Sequence, residues 1–267
     1  AALQPRSALQ QAGALRPLSM QLHQEAAEPT FAEQHDVSIE GALHGLDTTP
    51  LTDFAEIERR GSDGEPARLP KSVQQFFHGR RYAAPTPIQA QSLPLTLAGR
   101  DAVSIAQTGS GKTMAFLIPL LWDASVRRQQ NRRQRGPTAV VLAPTRELAQ
   151  QIHDEGRALA RAFGCQTVCV FGGQRKEQQE REILRLGGRL DLVVGTPGRM
   201  ADLMRDQTLR MGNATFLVLD EADRMLDMGF EPQLREIADE PPPPADRPAA
   251  GLTGPSPPPP RLPPPSP

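Results

Sequence analysis

A short run of glycines followed by lysine and threonine has the spacing of a loop that binds phosphate groups. Glycines allow successive backbone N–H groups to converge on phosphate oxygens without a clash from Cβ, and the helix predicted to follow, Met114 to Trp122, adds positive potential. In such a loop Lys112 would reach the β- and γ-phosphates of a nucleotide, and the Thr113 hydroxyl would bind Mg²⁺. The alternative is a glycine-rich turn without a ligand. The candidate phosphate-loop residues are Ala106, Gln107, Thr108, Gly109, Ser110, Gly111, Lys112 and Thr113.

Two adjacent carboxylates, Asp220 and Glu221, directly follow the apolar run 216–219. Neighbouring carboxylates are costly to hold together unless a cation or a water network uses them. Asp220 is placed to hold Mg²⁺ through water, and Glu221 can polarise the water that attacks a γ-phosphate. The simpler alternative is a helix N-cap with carboxylates in the first turn. The phosphate loop earlier in the chain favours the catalytic interpretation.

These residues must be positioned by the elements around them, and five short apolar runs indicate what those elements are. Each run has strand length and is flanked by longer polar or amphipathic stretches, which is typical of strands buried on both faces. The pattern predicts an α/β fold, with a parallel sheet, helices on both faces and right-handed crossovers. Ligands bind at the carboxyl ends of such strands, so the loop and the carboxylates should lie at one edge. The five runs are 102–105, 138–142, 167–171, 192–194 and 216–219.

The stretches between the strands carry helix patterns. Leu148, Ile152, Leu159 and Phe163 fall on one helical face, which predicts an amphipathic helix. A charged surface helix is predicted over 174–186. Another helix is predicted after the acidic pair, over 225–238.

The composition limits the possible functions. The chain of 267 residues has 30 Lys+Arg against 31 Asp+Glu, and its net charge of −1 excludes nucleic-acid binding by bulk positive charge. No apolar run approaches the roughly 18 residues of a membrane span, so we expect no membrane contact. Two cysteines cannot form a disulfide framework, which predicts a reducing, intracellular compartment.

The composition also divides the chain into three parts. Residues 1–68 are polar and often broken by glycine and proline, which predicts a disordered N-terminal extension. Residues 1–24 lack Asp and Glu, so the end of an organellar transit peptide is an alternative there. Residues 69–240 form the predicted folded domain. Residues 241–267 hold half of the 28 prolines and predict a disordered tail.

Six motifs occur in order along the predicted domain, and together they make the chain resemble the first RecA-like domain of DEAD-box ATP-dependent RNA helicases. The resemblance covers roughly residues 69–240 and implies ATP and Mg²⁺ as cofactors and the ATP-driven separation of short RNA duplexes. It also implies that Gln89 reads the adenine edge, since an amide can donate and accept at once. The motifs are Pro85 to Gln89, Ala106 to Thr113, Pro144 to Ala149, Gly172-Gly173, Thr196 to Arg199, and Asp220-Glu221-Ala222-Asp223.

Three of these motifs match the family's contacts to the RNA backbone. Each follows a predicted strand, so its N–H groups can hold phosphates, and arginines add charge there. None of the turns carries an aromatic residue, which predicts contact to sugar and phosphate without sequence preference. For any one turn the alternative is an ordinary loop glycine with a solvated arginine. The expected RNA-binding residues are Pro144, Thr145, Arg146, Gly172, Gly173, Thr196, Pro197, Gly198 and Arg199.

The chain departs from the family pattern at both ends of the predicted domain. The family has an aromatic residue upstream that stacks on adenine, and the nearest candidate is Phe54, beyond an apparent insertion around residues 59–66. Downstream, residues 241–267 contain neither the Ser-Ala-Thr motif nor a second RecA-like domain with its arginines. Proline cannot donate to a strand ladder, so the tail cannot replace the missing strand. We therefore expect a fragment or altered product of a helicase that does not unwind RNA alone.

Two rival interpretations belong to other classes. One is a P-loop DNA translocase, against which Gln89 and the residues after the acidic pair argue. The other is a truncated, non-enzymatic product that binds RNA or a partner. The tail offers such a partner site, because Arg261 to Pro267 fits a ligand of polyproline-reading domains. Low-complexity sequence meets that pattern easily.

Overall fold

The computed structural model describes residues 30–41, 47–60, 66–80, 82, 84–131, 136–187 and 189–239. The chain divides into two compact units at Ser38 and Ile39. In the first unit the described residues contain one short helix, α1 (Phe31–His35), with a capping box made by Thr30 and Glu33. The second unit holds the sheet and the remaining elements.

The central sheet of the second unit is parallel and has the strand order β4-β5-β3-β6. Val141 of β3 pairs with Val194 of β5 on one side and with Val218 of β6 on the other. Every residue of β3 and β5 is buried, which confirms for these two strands the prediction of burial on both faces. The prediction is wrong for β6, whose residues alternate between half-buried and exposed, and β4 is buried only at alternate positions. The strands are β3 (Ala139–Leu142), β4 (Thr167–Val170), β5 (Leu192–Gly195) and β6 (Phe216–Leu219).

Helices cover both faces of this sheet, as the fold prediction requires. Alternate strand residues point to opposite faces, so Val141 packs in one core cluster with Leu117 and Ile152, and Val140 packs in the other with Met200. The helices are α2 (Lys71–Gly79), α3 (Pro87–Leu97), α4 (Lys112–Gln130), α5 (Arg146–Phe163), α6 (Lys176–Arg185), α7 (Pro197–Arg205), α8 (Ala222–Asp227) and α9 (Glu231–Asp239).

One predicted strand is wrong. Residues 102–105 have no regular secondary structure and pair with no strand in the described part of the chain, and Val103 and Ile105 are each 92% exposed. An apolar run becomes a strand only where a neighbouring strand takes up its N–H and C=O groups. At the edge of the described sheet, Leu217 and Leu219 of β6 are each 41% exposed, so apolar surface also lies there.

The helix predicted over 225–238 is wrong as a single helix. It is divided into α8 and α9 by Met228 and Gly229, and Gly229 has a φ of 78°. That left-handed conformation ends α8, because it is accessible to glycine and strained for other residues. The chain then turns before α9 begins at Glu231.

Ordered structure begins before residue 69. A 3₁₀ turn, Phe54–Glu56, is followed by a hairpin of β1 (Glu58–Arg60) and β2 (Pro66–Arg68), and Phe54 and Ile57 are buried. The transit-peptide alternative for residues 1–24, much of the predicted extension 1–68 and the whole proline-rich tail 241–267 lie outside the described residues. No helix within the described residues is long and apolar enough to cross a membrane.

Candidate active site

The phosphate loop, residues 106–113, leads from the unpaired segment 102–105 into the start of α4. Gly109 and Gly111 have φ values of 80° and 96°, which glycine adopts without strain. A Cβ on Gly111 would also lie 2.5 Å from the Gln89 side-chain nitrogen. Both conformation and space therefore require glycine at position 111, in agreement with the role that the motif predicts.

Lys112 bends back over its own loop. Its ammonium group donates to the carbonyl oxygens of Ala106 and, at 3.1 Å, Gln107. Beside it the Ser110 hydroxyl oxygen is buried and has no hydrogen-bond partner among the described residues. A buried hydroxyl of this kind normally finds a partner, so its position fits a loop that receives ligand oxygens.

Gln89 lies against the phosphate loop. It is 2% exposed, its Nε2 donates to the Gly111 carbonyl at 2.9 Å, and its Oε1 accepts from the Thr86 backbone N–H at 3.1 Å. The amide thus uses both its donor and its acceptor inside the protein. The structure brings the predicted adenine-reading residue and the predicted phosphate loop into direct contact.

The acidic pair stands where the sheet prediction placed it, at the carboxyl end of β6. The Asp220 N–H donates to the Leu142 carbonyl at 2.9 Å, which continues the ladder past the strand. Burial raises the pKa of Asp220, the neighbouring charge of Glu221 raises it further, and Lys112 lowers it. Asp220 and Lys112 therefore interact electrostatically, although 107 positions separate them in the sequence.

Glu221 has an unusual backbone conformation. Its φ of 55° lies in the left-handed region, which non-glycine residues seldom adopt, and it caps the start of α8. Its carboxylate accepts from the Arg224 guanidinium at 3.1 Å. Strained residues of this kind concentrate at functional sites, where the surrounding structure holds them in place.

Glu155 of α5 is a neighbour of the loop that the sequence analysis did not identify. Burial raises its pKa, while a hydrogen bond from the Thr113 side chain and the charge of Arg80 lower it. Thr113, the predicted Mg²⁺ ligand, therefore lies close to a carboxylate from another helix. Glu155 and Thr113 come together because α5 packs beside α4. Their separation in the sequence follows no known motif, so the sequence analysis could not predict this contact.

Phe54 packs inside an aromatic cluster. It is 4% exposed, its ring stacks on Phe77 with a centroid distance of 4.3 Å, and the Tyr82 ring meets it edge-on at 6.0 Å. The Phe54 ring is thus part of the hydrophobic core near α2. The expectation that Phe54 is the aromatic beside adenine gains no support from this arrangement.

Two of the predicted RNA turns lie side by side. Thr145 caps α5 by accepting from the Leu148 N–H at 3.3 Å, and exposed Arg146 pairs with Glu147 at 2.9 Å. Gly173 has a φ of 82°, and the position of its Cβ would lie 3.7 Å from the Arg146 guanidinium. The turns after β3 and β4 thus present an arginine and a glycine backbone at one edge of the sheet.

The third predicted RNA turn is connected to the second. Pro197 begins α7, and Arg199 donates from Nη2 to the Gln174 carbonyl at 3.1 Å. The other terminal nitrogen of Arg199, Nη1, is buried without a hydrogen-bond partner among the described residues. Of the remaining predicted residues, Pro144 is buried, Gly172 is exposed, and Thr196 and Gly198 are half-buried.

Comparison with known proteins identifies the family. Residues 86–254 match the model of the DEAD/DEAH box helicases. The chain belongs to this family. The predicted family and the RecA-like fold are thereby confirmed, and ATP use and helicase and hydrolase activity are properties of the family.

The relatives are RNA helicases. The chain is 41% identical over 226 residues to the ATP-dependent RNA helicase-like protein DB10 of Nicotiana sylvestris, covering 84% of this chain and 34% of that protein. It is 41% identical over 213 residues to DEAD-box ATP-dependent RNA helicase 40 of Oryza sativa subsp. japonica, covering 80% and 25%. The chain thus spans about a third or less of these relatives.

Solved structures agree with this assignment. The RNA helicase Prp28 from Chaetomium thermophilum, bound to ADP, is 36% identical and superimposes with a TM-score of 0.65, covering 78% of this chain and 47% of that one. The yeast DEAD-box splicing factor Prp28 is 31% identical, with a TM-score of 0.64 and coverages of 78% and 46%.

Proposed function

We propose that this chain is the ATP-binding part of an ATP-dependent RNA helicase, which binds ATP with Mg²⁺ and the backbone of RNA. The observation that carries the proposal is the geometry of the site: Gln89 donates to the Gly111 carbonyl of the phosphate loop, and Asp220 follows β6 at the carboxyl edge of the sheet, where Lys112 lowers its pKa. A phosphate loop and an acidic pair that meet there have the arrangement that nucleotide hydrolysis requires.

Each residue of the site has a defined task in this proposal. The N–H groups of residues 106–113 and the Lys112 ammonium hold the phosphates, and Gln89 reads adenine once nucleotide draws its amide away from Gly111. Glu221 accepts a proton from the attacking water and orients it. The three turns after β3, β4 and β5 hold RNA phosphates through their N–H groups and through Arg146 and Arg199.

The donor set of the site fits Mg²⁺. The Thr113 hydroxyl and the Asp220 carboxylate supply hard oxygen atoms, which this ion prefers, partly through water. Burial raises the pKa of Asp220, the charge of Glu221 raises it further, and a bound cation would oppose both effects. Thr113 and Asp220 would hold the ion, and it would supply positive charge close to the phosphates.

Binding of a fluorescent ATP analogue to the whole chain tests the proposal. Lys112→Ala removes a charge directed at phosphate and should weaken binding by about tenfold or more, as loss of a charge-assisted contact typically does. Glu221→Gln should leave binding nearly unchanged, because that carboxylate acts on the attacking water. Lys71→Ala, at an exposed lysine at the start of α2, is the matched control. Equal affinity of wild type and Lys112→Ala would overturn the assignment of the phosphate loop.

Two further experiments on the same purified chain distinguish the rival functions. RNA and DNA of equal length, offered in competition, distinguish an RNA helicase domain from a DNA translocase, and the RNA helicase relatives favour the first. Capture of a polyproline-reading domain by the whole chain, but not by a version without residues 241–267, would instead favour a non-enzymatic binding role of the tail.

A further inference from the structure

A buried glutamine on α6 holds the end of strand β4 by both of its backbone groups. Gln179 is 1% exposed, its Oε1 accepts from the Phe171 N–H at 3.2 Å, and its Nε2 donates to the Phe171 carbonyl at 3.0 Å. Phe171 directly follows β4. The amide therefore pairs with one peptide position as a neighbouring strand would, and it fixes the point where the Gly172–Gly173 turn begins.

The same amide also holds the far side of this turn. Gln179 Nε2 donates to the Gln174 side-chain oxygen at 2.9 Å, and the Gln174 carbonyl accepts from Arg199 at 3.1 Å. The exposed glycines 172 and 173 lie between these two anchoring points. A continuous set of hydrogen bonds thus joins the interior of α6 to the turn after β4 and to the arginine of the turn after β5.

Glycine-rich turns need such anchoring. Glycine has wide conformational freedom, so two adjacent glycines do not by themselves hold their N–H groups in one direction. A donor aimed beforehand at its ligand costs less to order on binding. Gln179 is too deeply buried to reach a ligand, and it can act only through the backbone that it holds.

We infer that Gln179 is a positioning residue for RNA, which aims the Gly172–Gly173 backbone and the Arg199 guanidinium at neighbouring phosphates. The inference rests on the proposed RNA binding by these turns. It predicts that a change at residue 179 weakens RNA binding and leaves nucleotide binding alone, since the phosphate loop shares no hydrogen bond with this set.

The test measures three quantities on the whole chain: the Kd for a fluorescent single-stranded RNA, the Kd for a fluorescent ATP analogue, and the urea midpoint of unfolding. Gln179→Met preserves the volume and removes every hydrogen bond, and Gln179→Glu keeps only the acceptor for the Phe171 N–H. Gln174→Met, at an exposed position, removes the side-chain link without disturbing the core. Gln178→Met, at the exposed neighbour on the same helix, is the matched control.

We expect the RNA Kd to rise about tenfold in Gln179→Met and at least as much in Gln179→Glu, because a buried carboxylate oxygen would face the Phe171 carbonyl. The rise should be smaller in Gln174→Met and absent in Gln178→Met. The ATP-analogue Kd should remain at the wild-type value in all four. If wild type binds RNA and the variants at 179 and 174 bind it equally well, the positioning role is wrong and the proposed function stands. A joint loss of RNA binding, nucleotide binding and urea midpoint at 179, with Gln174→Met unchanged, would reduce Gln179 to a core residue. Absence of RNA binding by wild type would overturn both proposals.

Discussion

The pKa of Asp220 is set by opposing influences within the site. Burial and Glu221 raise its pKa, and Lys112 opposes them. The pKa of its carboxylate therefore depends partly on a lysine that is far away in sequence. This dependence links the phosphate loop and the acidic pair before any ligand arrives, and it can be measured without an activity assay.

Removal of the lysine should change the titration of the aspartate. In Lys112→Ala the pKa of Asp220 should rise above its wild-type value, because the opposing charge is lost while burial and Glu221 remain. Carboxyl carbon NMR across the acidic pH range measures the shift, and Lys71→Ala serves as the reference. An unchanged titration of Asp220 would mean that the two groups do not interact in solution.

Among individual residues, the sequence predicted those that belong to a motif of fixed spacing along the chain. Gly109, Gly111 and Lys112 follow a local pattern, and the structure gives the two glycines the positive φ that the pattern implies. Contacts that depend on packing could not be predicted. The bond from Gln89 to Gly111 and the approach of Glu155 to Thr113 arise only where helices α3, α4 and α5 meet.

Among the secondary-structure elements, the strands show most clearly what a hydrophobic pattern cannot predict. An apolar run reports that its side chains can be buried, and β3 and β5 meet that condition on both faces. The run 102–105 has the same character and forms no ladder in the described chain. Whether a neighbouring strand is available is a property of the whole sheet, which no local window contains.

The close approach of β4 and β5 gives an element-scale prediction. A Cβ on Gly195 would lie 2.4 Å from the Val170 carbonyl oxygen, a backbone atom that cannot move without separating the two strands. Gly195→Ala should therefore lower the free energy of unfolding by about 1–3 kcal/mol, the usual cost of overpacking. Urea denaturation measures it. Gly198→Ala, where the added Cβ meets nothing within 4 Å, should cost much less, and equal losses would refute the steric explanation.

The junction of α5 and β4 gives a pH-dependent prediction. His153 lies 3.0 Å from the Thr167 hydroxyl, and burial lowers its pKa below 6.5 despite the nearby charge of Asp154. The unfolded chain therefore binds the proton more readily. The stability contribution is complete above the unfolded pKa and is lost as the pH falls through the folded pKa.

A non-titrating variant isolates this effect. Other groups, among them Asp191 and Asp220, have raised pKa values and change stability in the opposite direction, so the wild-type curve alone is ambiguous. His153→Gln keeps a partner for Thr167. The unfolding free energy of wild type should fall relative to this variant as the pH is lowered past the ordinary histidine pKa of about 6.5, and it should continue to fall until the pH has passed the lower folded pKa. A difference that stays constant with pH would contradict the assigned burial effect.

At the scale of the whole molecule, helices rather than the sheet hold the phosphate loop. Gln89 of α3 bonds to Gly111, and α4 continues from the loop, whereas the preceding segment 102–105 has no partner strand among the described residues. We therefore expect the loop to bind nucleotide even though Leu217 and Leu219 at the edge of β6 are exposed. ATP hydrolysis needs further groups that binding does not need.

Turnover requires charge on the side of the nucleotide opposite the loop. In the family that this chain resembles, arginines of a second RecA-like domain supply it, and the chain spans 34% of its relative DB10. Three described arginines near this edge already have partners: Arg146 pairs with Glu147, Arg199 donates to the Gln174 carbonyl, and Arg224 pairs with Glu221. An arginine finger contributes about 10³–10⁵ in rate in related phosphoryl transfers, so turnover without it should be slower by a factor of that order.

The purified 267-residue chain should therefore bind ATP but show no RNA unwinding and negligible RNA-stimulated ATP hydrolysis. Phosphate release with and without single-stranded RNA measures this, and Glu221→Gln gives the background level of release. Hydrogen exchange must show protected amides in β3 and β5, so that an unfolded preparation is not mistaken for an inactive one. RNA-dependent phosphate release by monomeric wild type, well above the Glu221→Gln level, would show that the chain supplies the opposing charge from its own residues.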